Sequence, residues 1–581
     1  MKDLSSLLPY FKKYKSKFQL GFLFIVLSNT ISVYIPLLVK NAIDAIKDIK
    51  LLSDIYRYLI AIFSASLVAG IFRYYIRQTI IAASRLIEND MREDFWKKTL
   101  SLSPKNFEQK SIGAIMALAT NDISSIRLFV GPAIMYLTDT FYRSIFVLYN
   151  MITINWHLTI YSLIPFPILG ILTYYISSKV FEIFSKIQEQ FGNLTERARE
   201  AFSGVRAIKA FNAEEQIKKA FNNESFDYMK KALKLVKLEA LFQPGLYFFA
   251  GSSMAIILYV GGIEIINNRL TVGELTAFLI YSFMLIWPII AFGWVANITQ
   301  QAKASAKRLR EWIQIESDIK FGSNENLNIE LKGRIEFKGV KFKYYDSQEW
   351  ILNDINLKIR ENKITAIVGK TGCGKTTTAN LIARLYDPVE GKIEIDGIDI
   401  KKIPLKVLRN EIAYVMQEPF LFSDTIKNNL LYGTKKSYEI DVEFYAKLAK
   451  LHNDVKEFPS KYETSLGEKG INLSGGQKQR AAIAQALIRE AKIYIFDDSF
   501  SAVDSKTESE IIEELKNYLQ NKTTIIITHK ISIASKADEI IVMENGKVVE
   551  QGTHIELLLR KGYYSELFEK QSIEKELEEL E

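Results

Sequence analysis

Gly369-Lys370-Thr371-Gly372-Cys373-Gly374-Lys375-Thr376 decides how this chain is read. Two glycines with four residues between them are followed by a lysine and a hydroxyl. The stretch lies between an apolar run, Ile364–Val368, and a helical pattern over residues 377–386, the setting a phosphate loop requires. In that setting the glycines let the backbone curl until several N–H groups face one point, and the helix N-terminus adds a favourable dipole. Phosphate oxygens suit such a point. Lys375 supplies a mobile cation for the outer phosphates, and the Thr376 hydroxyl is the natural Mg2+ ligand. The rest of the chain is then read as machinery attached to an ATP-driven element.

Composition narrows what that machinery is. At 581 residues the chain is too long for one domain. Its net charge of +8 comes from 75 basic and 67 acidic residues, a modest excess that does not mark a nucleic-acid partner. Hydrophobic residues make up 48%. The single cysteine, Cys373, excludes an intramolecular disulfide and suits a reducing compartment. In the loop it reads as a small space-filling residue.

The apolar residues concentrate in the first half. Residues 7–17 place Tyr10, Phe11 and Tyr14 among Lys12, Lys13, Lys15 and Lys17, a pattern for a helix at a membrane surface. Six stretches then reach about the 20 residues needed to cross a bilayer: 18–39, 56–76, 129–154, 158–176, 241–263 and 270–298. About 50 residues of charged helical pattern separate spans two and three, and again spans four and five, so long helices project on one side only. The projections carry Arg85, Arg92, Lys97, Arg197, Arg206 and Lys218 among other cations, which by the positive-inside tendency places them and both termini in the cytoplasm. Residues 113–122 and 213–221 interrupt these helices and are expected to be short transverse helices at the turning points. Asp139 and Arg143 lie one turn apart inside the third span, as a structural ion pair or as a substrate contact. Phe242, Tyr247, Phe248, Phe249, Tyr281, Phe283 and Trp287 read first as packing and second as the lining of an apolar chamber.

Residues 1–315 thus form a transmembrane domain, 316–332 a polar linker, and 333–581 a domain in which short apolar strands alternate with helices. Around the phosphate loop, and Thr377 just past it, further motifs follow in order. Tyr344 precedes the loop by about 25 residues, in position to stack on a base. Gln417 ends the apolar run 412–416. Leu473-Ser474-Gly475-Gly476-Gln477 opens a second helix with bare amides at its N-terminus. Asp497 and Asp498 end a hydrophobic strand, an arrangement that holds Mg2+ and water beside a phosphate loop. Asp504 follows shortly, and His529 ends the buried strand 524–528.

Together these motifs resemble ATP-binding cassette (ABC) exporters of the half-transporter type, an α-helical membrane domain of six spans with long cytoplasmic extensions fused to an α/β nucleotide-binding domain. The pairing of the phosphate loop with Leu473-Ser474-Gly475-Gly476-Gln477-Lys478-Gln479-Arg480 is its most specific part. The resemblance implies ATP and Mg2+ as cofactors. Tyr344 becomes the base-stacking aromatic, Gln417 the Q-loop glutamine, Ser474 to Gln477 the signature, Asp497 the Mg-side carboxylate, Asp504 the D-loop aspartate and His529 the switch histidine. Residues 113–122 and 213–221 become coupling helices. It also implies a dimer, because the signature of one chain closes the nucleotide held by the other, and residence in the cytoplasmic (inner) membrane.

One position departs from the pattern. The family usually places Glu after the Mg-side Asp, where it orients or activates the attacking water, and here the residue is Asp498. One methylene is about 1.5 Å, and a misplacement of about 1 Å costs on the order of a hundredfold in rate. Asp498 is therefore expected to support binding and only slow hydrolysis. Heterodimeric exporters with one such site suggest a heterodimer with a related half-transporter, a homodimer being the alternative. The expected function is ATP-driven export of hydrophobic or amphipathic compounds, drugs or lipids. A lipid or glycolipid flippase, and an ATP-gated sensor that does not pump, are the competing readings.

Overall fold

The computed structural model describes residues 4–47, 52–319, 330–345, 347–432, 434, 440–467, 470 and 472–580. It divides into two units, Met1–Leu100 with Ile112–Ile315, and Ser101–Ser111 with Glu316–Glu581.

Elements described in the first unit are helical. Five helical stretches among the described residues are long and apolar enough to cross a membrane: Lys15–Ile46, Ile55–Leu100, Trp156–Ser203, Glu214–Ile266 and Val272–Gln314. The last, at 43 residues, is about 65 Å long, twice the apolar thickness of a bilayer, so it extends well beyond the hydrocarbon. The remaining expected span is the 21-residue helix Ile134–Ile154. It is long enough to cross and falls short in hydropathy because it carries Asp139 and Arg143.

Those two charges satisfy each other. Arg143 Nη2 lies 3.0 Å from Asp139 Oδ2, and Asn29, buried on the Lys15–Lys47 helix, completes the set. Its Nδ2 donates to Asp139 Oδ1 at 3.0 Å, and its Oδ1 accepts from Arg143 Nε at 3.2 Å. Unpaired groups here would each cost several kcal/mol on the order of a buried charge. The helices also approach at small residues: a Cβ on Gly273 would lie 2.3 Å from the Lys40 carbonyl oxygen, the close contact expected between membrane helices. Tyr281 is buried and donates to the Val33 carbonyl at 2.8 Å, so it belongs to the packed core, whereas Tyr247, Phe248, Phe283 and Trp287 are exposed. The side chain of Phe242 lies outside the described residues. The N-terminal surface helix, Leu8–Lys13, is fastened by Tyr10 to Asp94 at 2.6 Å and by Lys13 to Asp90 at 2.6 Å.

Both expected turning points fall elsewhere. Residues 113–122 are helical and continuous, running through Ile112–Ala117 and Leu118–Asp122, with Gly113 accommodated inside a turn. The break lies earlier, where Ser103 and Asn106 form a reciprocal cap and Pro104 opens the short helix Pro104–Glu108. Likewise residues 214–221 begin the long helix Glu214–Glu239, and the short helix at that turn is Val205–Ala210, bounded by Gly204 and by Asn212 at φ +50°.

The second unit contains two sheets. A four-stranded antiparallel sheet has the order β2 (Leu352–Ile359), β1 (Ile335–Phe342), β4 (Glu390–Ile395), β5 (Ile398–Asp399). The larger sheet runs β10 (Lys547–Gly552), β9 (Glu539–Glu544), β3 (Ile364–Val368), β8 (Thr523–Ile527), β7 (Ile493–Asp497), β6 (Ile412–Val415). Its strands are parallel except for β10. Residues 365–368, β7 and β8 are buried throughout, as strands covered on both faces must be. In an open parallel sheet ligands bind beyond the carboxyl ends of the strands, and here those ends belong to β3, β8, β7 and β6, side by side.

Candidate functional site

The carboxyl edge gathers residues that are far apart in sequence. Val368 leads into the phosphate loop, Ile527 into Thr528 and His529, Asp497 ends β7 beside Asp498, and Val415 leads through Met416 to Gln417. Strand register fixes their level, with Ile367 opposite Ile527, Asp497 opposite Ile527, and Val415 opposite Phe496.

Within the loop, Gly369 has φ +152° and a Cβ there would lie 2.1 Å from the Met543 carbonyl oxygen, so only glycine fits. Gly374, at φ +103°, caps the helix Lys375–Ile382. The Lys375 ammonium folds over the loop and donates to the carbonyls of Gly369 at 2.8 Å and Lys370 at 2.9 Å. Cys373 is buried within the same loop, and burial raises the pKa of its thiol, which keeps it protonated and inert. Gly372, at φ +83°, has open space where a Cβ would stand. Thr371 and Lys370 complete the loop, and Thr377 Oγ1 lies 3.3 Å from the Tyr344 hydroxyl. Tyr344 packs edge-on against Phe342 and Tyr386, with ring centres 5.0 and 5.4 Å away. One further neighbour of this aromatic group comes from the short helix Pro104–Glu108: the Tyr386 hydroxyl donates to Glu108.

Asp497 is 1% exposed. Its Oδ1 accepts from Thr376 Oγ1 at 3.1 Å and its Oδ2 from the Tyr414 hydroxyl at 3.2 Å. Burial raises its pKa, against the opposing effect of these two hydrogen bonds. A buried carboxylate of this kind favours a cation beside it, and the Thr376 hydroxyl is already in its shell. Asp498 has φ +45°, its N–H donates to the Ile527 carbonyl at 2.9 Å, and its Oδ1 is 3.0 Å from His529 Nδ1. Thus two of the expected catalytic side chains touch. Gln417 is exposed beyond β6.

The signature and Asp504 form a separate group. Ser474 and Gln477 cap each other reciprocally at the start of the helix Gly475–Ile488, at 3.2 and 3.0 Å. The cap leaves the first amides of that helix, Gly475 and Gly476, without acceptors inside it. A Cβ on Gly476 would lie 2.7 Å from the Ala502 carbonyl oxygen, so glycine is required for this helix to meet the segment before Asp504. Asp504 accepts from Thr507 N at 2.9 Å, and that bond lowers its pKa.

Three residues of this unit were not anticipated. Tyr414 holds Asp497; it sits three residues before Gln417 on β6, and only strand order reveals that it faces β7. Asp454 receives Gln477 at 3.0 Å and Arg480 at 2.8 and 3.2 Å. Gln571 contacts the backbone around His529.

Comparison with known proteins agrees with this geometry. A model of the ABC transporter transmembrane region matches residues 18–289, and one described as ABC transporter matches residues 352–501. A Bacillus subtilis (strain 168) protein, YheI, named as a probable multidrug resistance ABC transporter ATP-binding/permease protein, is 36% identical over 97% of both chains. The chain belongs to the ABC transporter family. A Syntrophus aciditrophicus (strain SB) protein, an ATP-dependent lipid A-core flippase, is 33% identical over 97% of this ABC transporter and 94% of its own length. The structure of a bacterial Atm1-family ABC exporter with ATP bound superposes with a TM-score of 0.79 and 25% identity, covering 96% and 98% of the two chains. This ABC transporter is accordingly a multi-pass membrane ATPase with an exporter fold.

Proposed function

We propose that this chain is one half of a dimeric exporter that uses ATP to move hydrophobic or amphipathic compounds, drugs or lipids, across the cytoplasmic membrane, with its nucleotide-binding unit and both termini in the cytoplasm. The observation that carries the reading is the meeting of the phosphate loop, Asp497, Asp498, Gln417 and His529 at one sheet edge, in a chain whose other unit is a bundle of membrane-length helices. On that bundle lies an open, largely apolar groove of about 540 Å³ between Ile31, Val33, Tyr34, Val68, Phe146 and Tyr149, with Thr30, Ser64 and Asn150 also in its lining. One relative is named a probable multidrug resistance transporter and another a lipid A-core flippase, names that agree with drugs or lipids as cargo.

In this reading the loop amides and Lys375 hold the phosphates, and Tyr344 stacks on the base. Thr376, Asp497 and Gln417 would hold Mg2+, which would neutralise charge on the outer phosphates. Their fit rests on the buried Asp497 carboxylate and on the Thr376 hydroxyl already hydrogen-bonded to it, since Mg2+ is held by one or two protein carboxylates or hydroxyls together with substrate phosphates. Asp498 orients the attacking water, and His529 fixes the Asp498 carboxylate. The amides of Gly475 and Gly476, with Ser474, close the nucleotide of the partner chain, and Asp504 adjoins that interface. Movement reaches the membrane through the short helix Pro104–Glu108, grouped with the nucleotide-binding unit. It also passes through Val205–Ala210, flanked by Phe202 and Phe211, 79% and 83% exposed and available to a partner chain.

A heterodimer is favoured over a homodimer by Asp498 in the place of the longer glutamate. ATP turnover by the chain purified alone tests the pairing, brisk hydrolysis counting against a required partner. Nucleotide-dependent movement of cargo in sealed vesicles separates a pump from a sensor.

A further inference from the structure

The backbone that carries His529 is held from outside the sheet by one side-chain amide. Gln571 Nε2 donates to the His529 carbonyl at 2.7 Å, and Gln571 Oε1 accepts from Ile531 N at 2.8 Å. A primary amide that binds a carbonyl and the N–H two residues later fixes the backbone torsions between them. Lys530, between the two, is tied independently: its N–H donates to Thr528 Oγ1 at 3.0 Å, and its ammonium reaches Glu508 at 2.5 Å. The His529 ring itself is 51% exposed and hydrogen-bonded to Asp498. Its direction is therefore set by the backbone beneath it.

Gln571 belongs to the helix Tyr563–Leu580, which is firmly seated. Glu550 accepts from Tyr563 N and Tyr564 N at 2.8 and 3.1 Å. Tyr564 is fully buried, is hydrogen-bonded to His554 at 2.8 Å, and packs in one cluster with Ala366, Val368 and Ile531. Val368 is the residue from which the phosphate loop departs. The same helix thus shares a buried cluster with the strand that leads to the phosphates and is hydrogen-bonded to the loop that carries the histidine.

We propose that Gln571 is a positioning residue for hydrolysis, holding His529 where it meets Asp498, and that the C-terminal helix thereby sets the rate of the chemical step without touching nucleotide. The proposal rests on the role given above to His529. A ring displaced by about 1 Å costs on the order of a hundredfold in rate, so partial loss of the two bonds is expected to cost about tenfold or more.

The test is single-turnover hydrolysis of γ-labelled ATP with the full-length protein in excess, in lipid nanodiscs, together with nucleotide affinity from a fluorescent analogue. Gln571→Leu removes both bonds, and Gln571→Glu keeps the shape while losing the donor to His529, so it serves if the first variant folds poorly. The expected result is a rate lowered about tenfold or more, affinity changed less than about twofold, and no further loss when Gln571→Leu is added to His529→Ala. Rates within about twofold of wild type for both Gln571 variants, or losses that add to that of His529→Ala, would overturn the proposal while leaving the reading of the site intact. An unchanged rate for His529→Ala itself would overturn both.

Discussion

Replacing Asp498 by glutamate tests the geometry of hydrolysis most closely. The backbone at this position has no slack: Asp497 pairs with Ile527 in the sheet, and the Asp498 N–H donates to the same residue at 2.9 Å. Its φ of +45° also places it in the left-handed region, which costs a non-glycine residue roughly 1 kcal/mol and persists only where the surroundings impose it. The main chain therefore does not shift to compensate for a shorter side chain. The carboxylate lies 3.0 Å from His529, and a further methylene would lengthen its reach by about 1.5 Å. A gain of tenfold to a hundredfold in turnover corresponds to about 1.4 to 2.7 kcal/mol of barrier, within what ~1 Å of placement is worth. Single-turnover hydrolysis by Asp498→Glu, with ATP affinity measured in parallel, should show this rise at unchanged affinity. Asp498→Asn should fall below wild type, because the residual rate still uses a carboxylate. A glutamate variant within about threefold of wild type would refute the geometric argument.

Three other outcomes follow from single contacts. Because burial raises the pKa of Asp497, its folded value lies above the unfolded one, so its charge costs stability once pH rises through the folded value and costs nothing below the unfolded value. Nucleotide-free Asp497→Asn should thus melt higher than wild type at neutral pH, an advantage that disappears in acid, and should lose the added stabilisation by Mg-ATP. In the membrane unit, Arg143→Leu strands Asp139 and Asn29 and should destabilise the protein by about 3 kcal/mol or more, whereas Asp139→Leu with Arg143→Leu should recover most of that in thermal unfolding. A stable single variant with altered cargo preference would instead make Arg143 a substrate contact. Tyr386→Phe removes the hydrogen bond to Glu108 and should weaken cargo stimulation of ATP turnover several-fold while leaving basal turnover within about twofold, measured by phosphate release with and without an amphipathic compound.

The nucleotide-binding unit was largely legible because its motifs are local. A glycine-rich turn, a strand ending in two aspartates and a strand ending in histidine each declare themselves within about ten residues, and parallel-sheet topology then brings their ends together. What escaped was whatever depends on a neighbour in space. Tyr414 serves Asp497 across two strands, Gln571 reaches His529 from a C-terminal helix, and neither has a local signature. The misplaced turning points have a similar cause. Residues 113–122 continue as helix, whereas the chain turns before them: one helix ends at Leu100, and the Ser103–Asn106 cap with Pro104 starts the next. The third span was countable by length yet weak in hydropathy, since it carries Asp139 and Arg143, which pair with each other and are bridged by Asn29 from another helix.

The central claim is that triphosphate held at this sheet edge moves the membrane helices. Its most direct measurement is ATP-dependent uptake of a fluorescent amphipathic compound into sealed inside-out vesicles containing the full-length protein, and its partner where one is required, comparing wild type with Lys375→Ala. The account predicts uptake that needs hydrolysable ATP and is lost with the lysine. Uptake by Lys375→Ala at the wild-type rate would contradict it.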